Sequence, residues 1–194
     1  MQRKLLAAAV LALCAGAASA ATNVALGGAV SISGPDFWNS PGWGAGAPAP
    51  LGSLTDGTFL PLNTQWNLGT VFWTSPPNLD VITIQLTHTS VVSSILLQAD
   101  NNDDYGIGYY DASSVWHALP TISPNRSWGM DNGSASFAPV TATAFTITNL
   151  GGDGYNSVSE FQAFGAPVPE PETYALMLAG LGALGFVARR KMPR

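Results

Sequence analysis

Asp80-Val81-Ile82-Thr83-Ile84-Gln85-Leu86-Thr87-His88-Thr89 is the stretch that decides the fold class. Ile82, Ile84 and Leu86 fall on one side of an extended chain and Thr83, Gln85 and Thr87 on the other, which is the period-two pattern of a strand with one buried face. Val91 to Ala99 reads as a second strand, with Ile95 and Leu97 on its apolar face. The acidic loop Asp100-Asn101-Asn102-Asp103-Asp104 separates it from a strand over Tyr105 to Tyr110. Asp111-Ala112-Ser113-Ser114 reads as a turn into Val115 to Leu119. Ala144 to Thr148 and Val158 to Phe164 are further strands, divided by the loop Gly151-Gly152-Asp153-Gly154. Upstream, Val24 to Ile32 opens the body, and Phe37 to Pro50 holds too many Gly and Pro residues for a helix. Short strands punctuated by turn signals predict an all-β, antiparallel β-sandwich of jelly-roll type.

The two ends of the chain are of another kind. Arg3 and Lys4, the apolar run Leu5 to Ala15 and Ala18-Ser19-Ala20 make residues 1–20 a signal peptide, so the mature chain is expected to start at Ala21. The β-sandwich then occupies residues 21–167, and residues 168–194 form a tail in three parts. These are Val168-Pro169-Glu170-Pro171, the apolar run Tyr174 to Ala188 and the basic cluster Arg189-Arg190-Lys191. At ~1.5 Å per residue the run reaches about 22 Å as a helix, against a hydrocarbon core of ~30 Å. It is thus a short transmembrane helix that spans only marginally, with the basic cluster on the cytoplasmic side. In order and spacing these three parts resemble the PEP-CTERM sorting tail of Gram-negative bacteria. The resemblance implies an exosortase-type transpeptidase as partner, a transient stay in the inner membrane, and delivery to the cell surface or extracellular matrix.

Charge and cysteine content exclude several classes for the body. Ten of the twelve acidic residues lie within residues 21–167 but only one basic residue, Arg126, so the body carries about −9 against −5 for the whole chain. Such a surface repels the phosphates of nucleic acid and anionic lipid, and suits neutral sugars and divalent cations. The single cysteine, Cys14, lies in the signal peptide, leaving neither disulfides nor a thiol nucleophile in the mature chain. No Gly-x-Ser-x-Gly elbow is present, and the body's two histidines, His88 and His117, have no spaced partner that would suggest zinc. The expectation is a protein that is not an enzyme.

Four motifs recur in order along the body: Asn23-Val24-Ala25-Leu26-Gly27-Gly28, Leu54-Thr55-Asp56-Gly57 with Thr64-Gln65-Trp66, Val91 to Leu97, and Ser159-Glu160-Phe161-Gln162-Ala163-Phe164-Gly165. Together they resemble the discoidin, or coagulation factor type C, superfamily of galactose-binding-like domains. Phe59-Leu60-Pro61-Leu62 is an insertion relative to that pattern. The resemblance implies a structural calcium ion held by carboxylates of Asp56 and Glu160 and by oxygens at Ser53 and Thr64, a ligand set suited to a hard cation. The alternative is a plain turn Asp and an exposed strand Glu. Asp100, Asn102, Asp104 and Asp111 also fall at EF-hand-like spacing, but Tyr105 stands where glycine is needed, so a solvated turn is expected there.

Six tryptophans are many for this length. Trp66 and Trp116 sit in strand-like contexts and are expected in the core. Trp38, Trp43 and Trp128 lie in loops, the last beside Asn125 and Arg126. A flat aromatic face with forked donors is what a sugar site requires. The candidate ligand-binding set is therefore Arg126, Trp128, Asn125, Asn101, Asn102, Trp38 and Trp43. The leading reading is an exported, surface- or matrix-sorted sandwich that binds carbohydrate, with exopolysaccharide as one candidate ligand. The alternative is a structural matrix or adhesion protein without a specific small ligand, and a polysaccharide hydrolase ranks third.

Overall fold

A computed structural model describes residues 21–74, 76–124, 128–169 and 171–190. The expected signal peptide (residues 1–20), Asn125, Arg126, Glu170 and Lys191 lie outside the described residues. The body begins with β1 (Thr22–Asn23), β2 (Ala29–Ser33) and β3 (Ala47–Pro48), then a 3-10 turn at Leu51–Thr55 and β4 (Leu68–Trp73). Next come β5 (Val81–Asp100), β6 (Asp104–Tyr110), β7 (Trp116–Ala118), β8 (Met130–Gly151) and β9 (Asn156–Pro167), and helix α1 (Pro171–Arg190) closes the described chain.

Two strands give the sandwich its shape. The alternating stretches Val81 to Gln85 and Ser90 to Asp100 form one strand and not two, because β5 runs through from one sheet into the other. Its first part pairs with β2 and with the end of β8, and its second part with the start of β8 and with β9. At the corner Gln85 faces Ala144 while Ser90 faces Ala142, so Leu86 to Thr89 lie opposite Thr143 alone. A second irregularity answers it on β8, where Phe137 to Pro139 lie opposite Ser93. Bulges of this kind let a strand bend and change sheets. Pro139, which cannot donate to a ladder, is accommodated there. One sheet is thus β2, β5, β8, β6 and β7; the other is β4, β9, β5 and β8, with β1 on β9 and β3 on β4.

Side-chain alternation fills the space between the sheets. Ile82, Ile84, Ile147, Phe145, Tyr105 and Ile107 come from the first sheet, and Val71, Trp73, Ile95, Leu97, Val158 and Phe161 from the second; all are buried. Burying a large apolar side chain is worth about 1.5–3 kcal/mol, so this layer drives the fold. Trp66 is buried as expected, though in the turn before β4. Trp116 is not core: it is 51% exposed on the outer face of its sheet, where strand alternation directs it away from Ile107 and Tyr105. Helix α1 extends beyond the apolar run at both ends. Among the described residues no helix is long and apolar enough to cross a membrane.

Candidate functional site

The loops at one end of the sandwich converge on a small hollow of about 70 Å3. Trp43, Trp66, Gln65, Trp128, Asn101, Asn102, Asp100 and Asp153 line it, so four residues of the expected sugar set, Trp43, Trp128, Asn101 and Asn102, meet there. Trp43 and Trp128 are 48% and 56% exposed. Trp43 is braced edge-on by Trp66, with ring centroids 6.3 Å apart, and by Tyr155 at 6.0 Å. Trp66 in turn packs on Phe72 at 5.5 Å, so an exposed ring is tied to the core through one buried intermediary. Trp128 precedes a tight approach: a side chain at Gly129 (φ +70°) would meet the Thr64 carbonyl oxygen at 2.6 Å. Met130 N donates to that same oxygen at 2.9 Å, which fixes the loop. Trp38 does not join the hollow; it packs edge-on against Phe72 at 5.5 Å, and its backbone N donates to the Phe72 carbonyl.

Polar groups are arranged around the rings. Asn102 Nδ2 donates to Asp153 Oδ2 at 2.9 Å, which joins the β5–β6 loop to the β8–β9 loop. Gln65 Nε2 donates to Asn67 Oδ1, and Asn67 Nδ2 to the Trp43 carbonyl at 3.4 Å. Asp153 also borders a larger cleft of about 450 Å3 lined by Pro41, Pro76, Pro77, Asn149 and Tyr155. Neither histidine lines the hollow or this cleft.

Beneath the hollow lies an acidic cluster. Asp100, Asp103 and Asp153 each place a carboxylate oxygen within 4.8 Å of the others, close enough to share a metal ion. Burial, more than any other cause, pushes Asp100 up to about 7 and Asp103 up to about 8; for Asp103 the charge on Asp100 is the next largest contribution. The loop can run against Asp103 because Gly152 (φ +138°) has no side chain; a Cβ there would overlap Asp103 Oδ1. The EF-hand-like spacing is dispersed by the fold. Asp104 accepts from the Ser123 hydroxyl, and Asp111 caps its own turn while holding His117 Nε2 at 2.9 Å. Sequence reasoning missed Asp153 and Gln65 as members of the hollow, since both are brought in from distant loops.

On the flank of the sandwich, Glu160 is fully buried on β9. Its Oε1 accepts from Gln162 Nε2 at 3.1 Å, while Oε2 has no hydrogen-bond partner. Burial, then the charge of Asp56, raise its carboxyl to about 7, against the pull of hydrogen bonds from Gln162 and the Gly57 backbone. Ser53 Oγ is likewise buried without a partner. Asp56 Oδ1 accepts from Thr58 N at 2.7 Å and stays exposed. Thr64 is turned elsewhere, its hydroxyl donating to Pro61 O at 2.6 Å and its carbonyl accepting from Met130.

Residues 167–191 match the PEP-CTERM protein-sorting motif. The tail is a sorting signal. It marks a protein that is exported and sorted to the cell surface or extracellular space. Compared with curated proteins by sequence, the chain matches none. Among solved structures the body is similar to a Streptococcus pneumoniae fucose binding module, at 15% identity and TM-score 0.50, covering 75% of this chain and 96% of that one. A family 32 carbohydrate-binding module from Streptococcus pneumoniae EndoD is similar at 15% identity and TM-score 0.49, covering 74% and 99%. Chitosan-binding module 1 from a Paenibacillus sp. IK-5 chitosanase/glucanase is similar at 19% identity and TM-score 0.47, covering 74% and 99%. The fold is the galactose-binding-like, discoidin-type β-sandwich, as the four motifs led one to expect.

Proposed function

We propose that this chain is a carbohydrate-binding protein without catalytic activity, sorted outward by its tail, which takes a sugar in the loop-end hollow. The observation that carries this reading is the convergence of Trp43 and Trp128 with the amides of Gln65, Asn101 and Asn102 around one recess. An aromatic ring covers the C–H face of a sugar, and amides supply both donors and acceptors for its hydroxyls. Asp100 and Asp153 in the wall, on a body of about −9, favour a neutral sugar over a uronate. The names of the similar modules, which bind fucose or chitosan, point the same way.

An exosortase-type transpeptidase is the partner that fits the tail. Calcium fits the flank. Glu160 Oε2 and Ser53 Oγ are buried oxygens lacking a partner, and Asp56 brings a second carboxylate toward them. A hard cation takes oxygen ligands of this mixed kind, and its charge would offset the cost of burying Glu160. The ion would act as a structural brace between β9 and the turn after Leu54.

Calorimetry of the purified chain against a panel of neutral and acidic oligosaccharides tests the sugar reading. Trp128→Ala should weaken binding by about 1.5–3 kcal/mol, more than tenfold in Kd. Wild-type chain that binds no member of the panel would leave a matrix protein without a specific ligand as the better account.

A further inference from the structure

The outer face of the β2–β5–β8–β6–β7 sheet carries a second recess, separate from the loop end. Across it, Gly106 faces Thr148, Gly108 faces both Thr146 and Ala118, and Tyr110 faces both Ala144 and Trp116. Directly opposed residues share a face. Since side chains alternate along a strand, Tyr105 and Ile107 enter the core while Gly106, Gly108 and Tyr110 look outward. Glycine at two alternate positions weakens a strand, and it marks a place where something approaches the backbone closely.

At Gly108 that something is the Trp116 indole. A Cβ on residue 108 would lie 2.3 Å from its Nε1 and 2.5 Å from its Cε2. Trp116 Nε1 donates to Thr146 Oγ1 at 3.0 Å, so the ring is held in place, yet the residue remains 51% exposed. Leu150 stands over Gly106 in the same manner, 3.0 Å from where a Cβ would be. Between them runs a groove of about 460 Å3, with Asn78, Tyr110, Thr121 and Thr148 among its walls. Among the described residues no charged side chain lines it, although the body is strongly acidic.

We propose that this groove is a second glycan site, which takes a neutral polysaccharide laid along the sheet face with one sugar ring stacked on Trp116. It rests on the carbohydrate-binding reading above. An indole backed by bare main chain, open on its other side and fixed through its N–H, needs no rearrangement before a sugar stacks on it. Thr148, Thr121 and Asn78 in its walls provide hydroxyl and amide partners. The uncharged lining gives an ionic peptide nothing to pair with. A second copy of the chain would bring two bodies of about −9 face to face, which charge repulsion opposes. Two sites on one body would raise retention on a polymer that reaches both, without changing affinity for short fragments.

The test uses the purified chain, intact, in affinity electrophoresis through gels containing galactan, dextran, mannan or xylan, together with calorimetry on short oligosaccharides of each. Trp116→Ala should lower retention by the polymer at least tenfold and leave the short-oligosaccharide Kd unchanged. Gly108→Ala, which keeps the indole but displaces it, should do the same, while Trp116→Phe should retain most of the polymer binding. Trp128→Ala should weaken both kinds of ligand. Wild-type retention by Trp116→Ala and Gly108→Ala, with loss in Trp128→Ala alone, overturns the groove and leaves the loop site standing. Loss in Trp116→Ala with none in Trp128→Ala keeps the groove and overturns the loop site. A wild-type dimer in sedimentation that Trp116→Ala dissolves would make the face a protein interface and end the proposal, as would wild type retained by none of the four polymers.

Discussion

Glu160 on the flank and Asp103 at the loop end are both buried acids held above the usual carboxylate range, but their surroundings differ in kind. Glu160 keeps one buried carboxylate oxygen without a partner and feels the charge of the Asp56 carboxylate, which comes from a distant part of the chain. Around Asp103 the neighbours are more carboxylates, from Asp100 and Asp153, with the Tyr105 hydroxyl donating at 3.4 Å. The first arrangement suits a cation; the second can be relieved by protons shared within the cluster. What a buried acid is short of therefore differs between two places on one sandwich, and two ligands of the protein, metal and proton, should act at different ends.

A large effect is expected from metal removal. Calcium at a hundredfold excess over Kd should stabilise the folded chain by about 2.7 kcal/mol, and chelation should remove that increment from the melting temperature. Glu160→Gln should melt at one temperature with calcium or chelator. If instead the calcium effect survives in Glu160→Gln and vanishes in Asp103→Asn, the ion belongs to the acidic cluster and the contrast is reversed.

A second effect is one of pH, measured in chelator. The folded pKa of Asp103, about 8, and of Asp100, about 7, lie above the usual carboxylate value near 4. The folded state therefore binds more protons than the unfolded state between those limits, so their contribution is fully present below about pH 4 and is lost as pH rises toward 8. Thermal melts should show falling stability from pH 5 to pH 8, and Asp103→Asn should flatten the slope, gaining on wild type at pH 8 and not at pH 5. Parallel profiles for the two would remove the cluster as the source.

The smallest effect is at Ser53. Loss of one neutral oxygen ligand in Ser53→Ala should weaken calcium affinity several-fold while leaving the chelated melting temperature near wild type, because the hydroxyl has no partner to lose. A lowered melting temperature in chelator alone would show that the hydroxyl serves packing and not the ion.

The flank residues carry a signal in sequence that part of the loop end lacks. Asp56 and Glu160 sit inside motifs whose order survives along the chain. Asp153 and Gln65 reach the hollow from loops far apart in sequence, and nothing in their local context announces it. The strands divide in the same way. Ile82, Ile84 and Leu86 mark β5 by clean alternation, but the first half of β8, Gly133-Ser134-Ala135-Ser136-Phe137-Ala138-Pro139, is small, polar and interrupted by a bulge. β4 passed unread because Leu68-Gly69-Thr70-Val71-Phe72-Trp73 buries four successive residues instead of alternating. Trp116 was misplaced in the core for want of its neighbour across the ladder: only the pairing of Tyr110 with Trp116 shows the ring to be outside. The alternating glycines at 106 and 108 were a visible signal for that face.

The course of β9 has a consequence for how the molecule stands on a cell. Its first residue, Asn156, follows the loop that carries Asp153, and its last, Pro167, lies against Ser90 at the corner, where Val168 N donates to Thr89 O at 2.8 Å. At ~3.3 Å per residue those two points are about 35 Å apart. Thr22 pairs with Gly165, so the start of the body sits at the same end as the tail. The start of β1 and the beginning of the tail thus share one end of the body, and the tryptophan hollow sits at the other, a full strand length away from the segment that the sorting motif occupies.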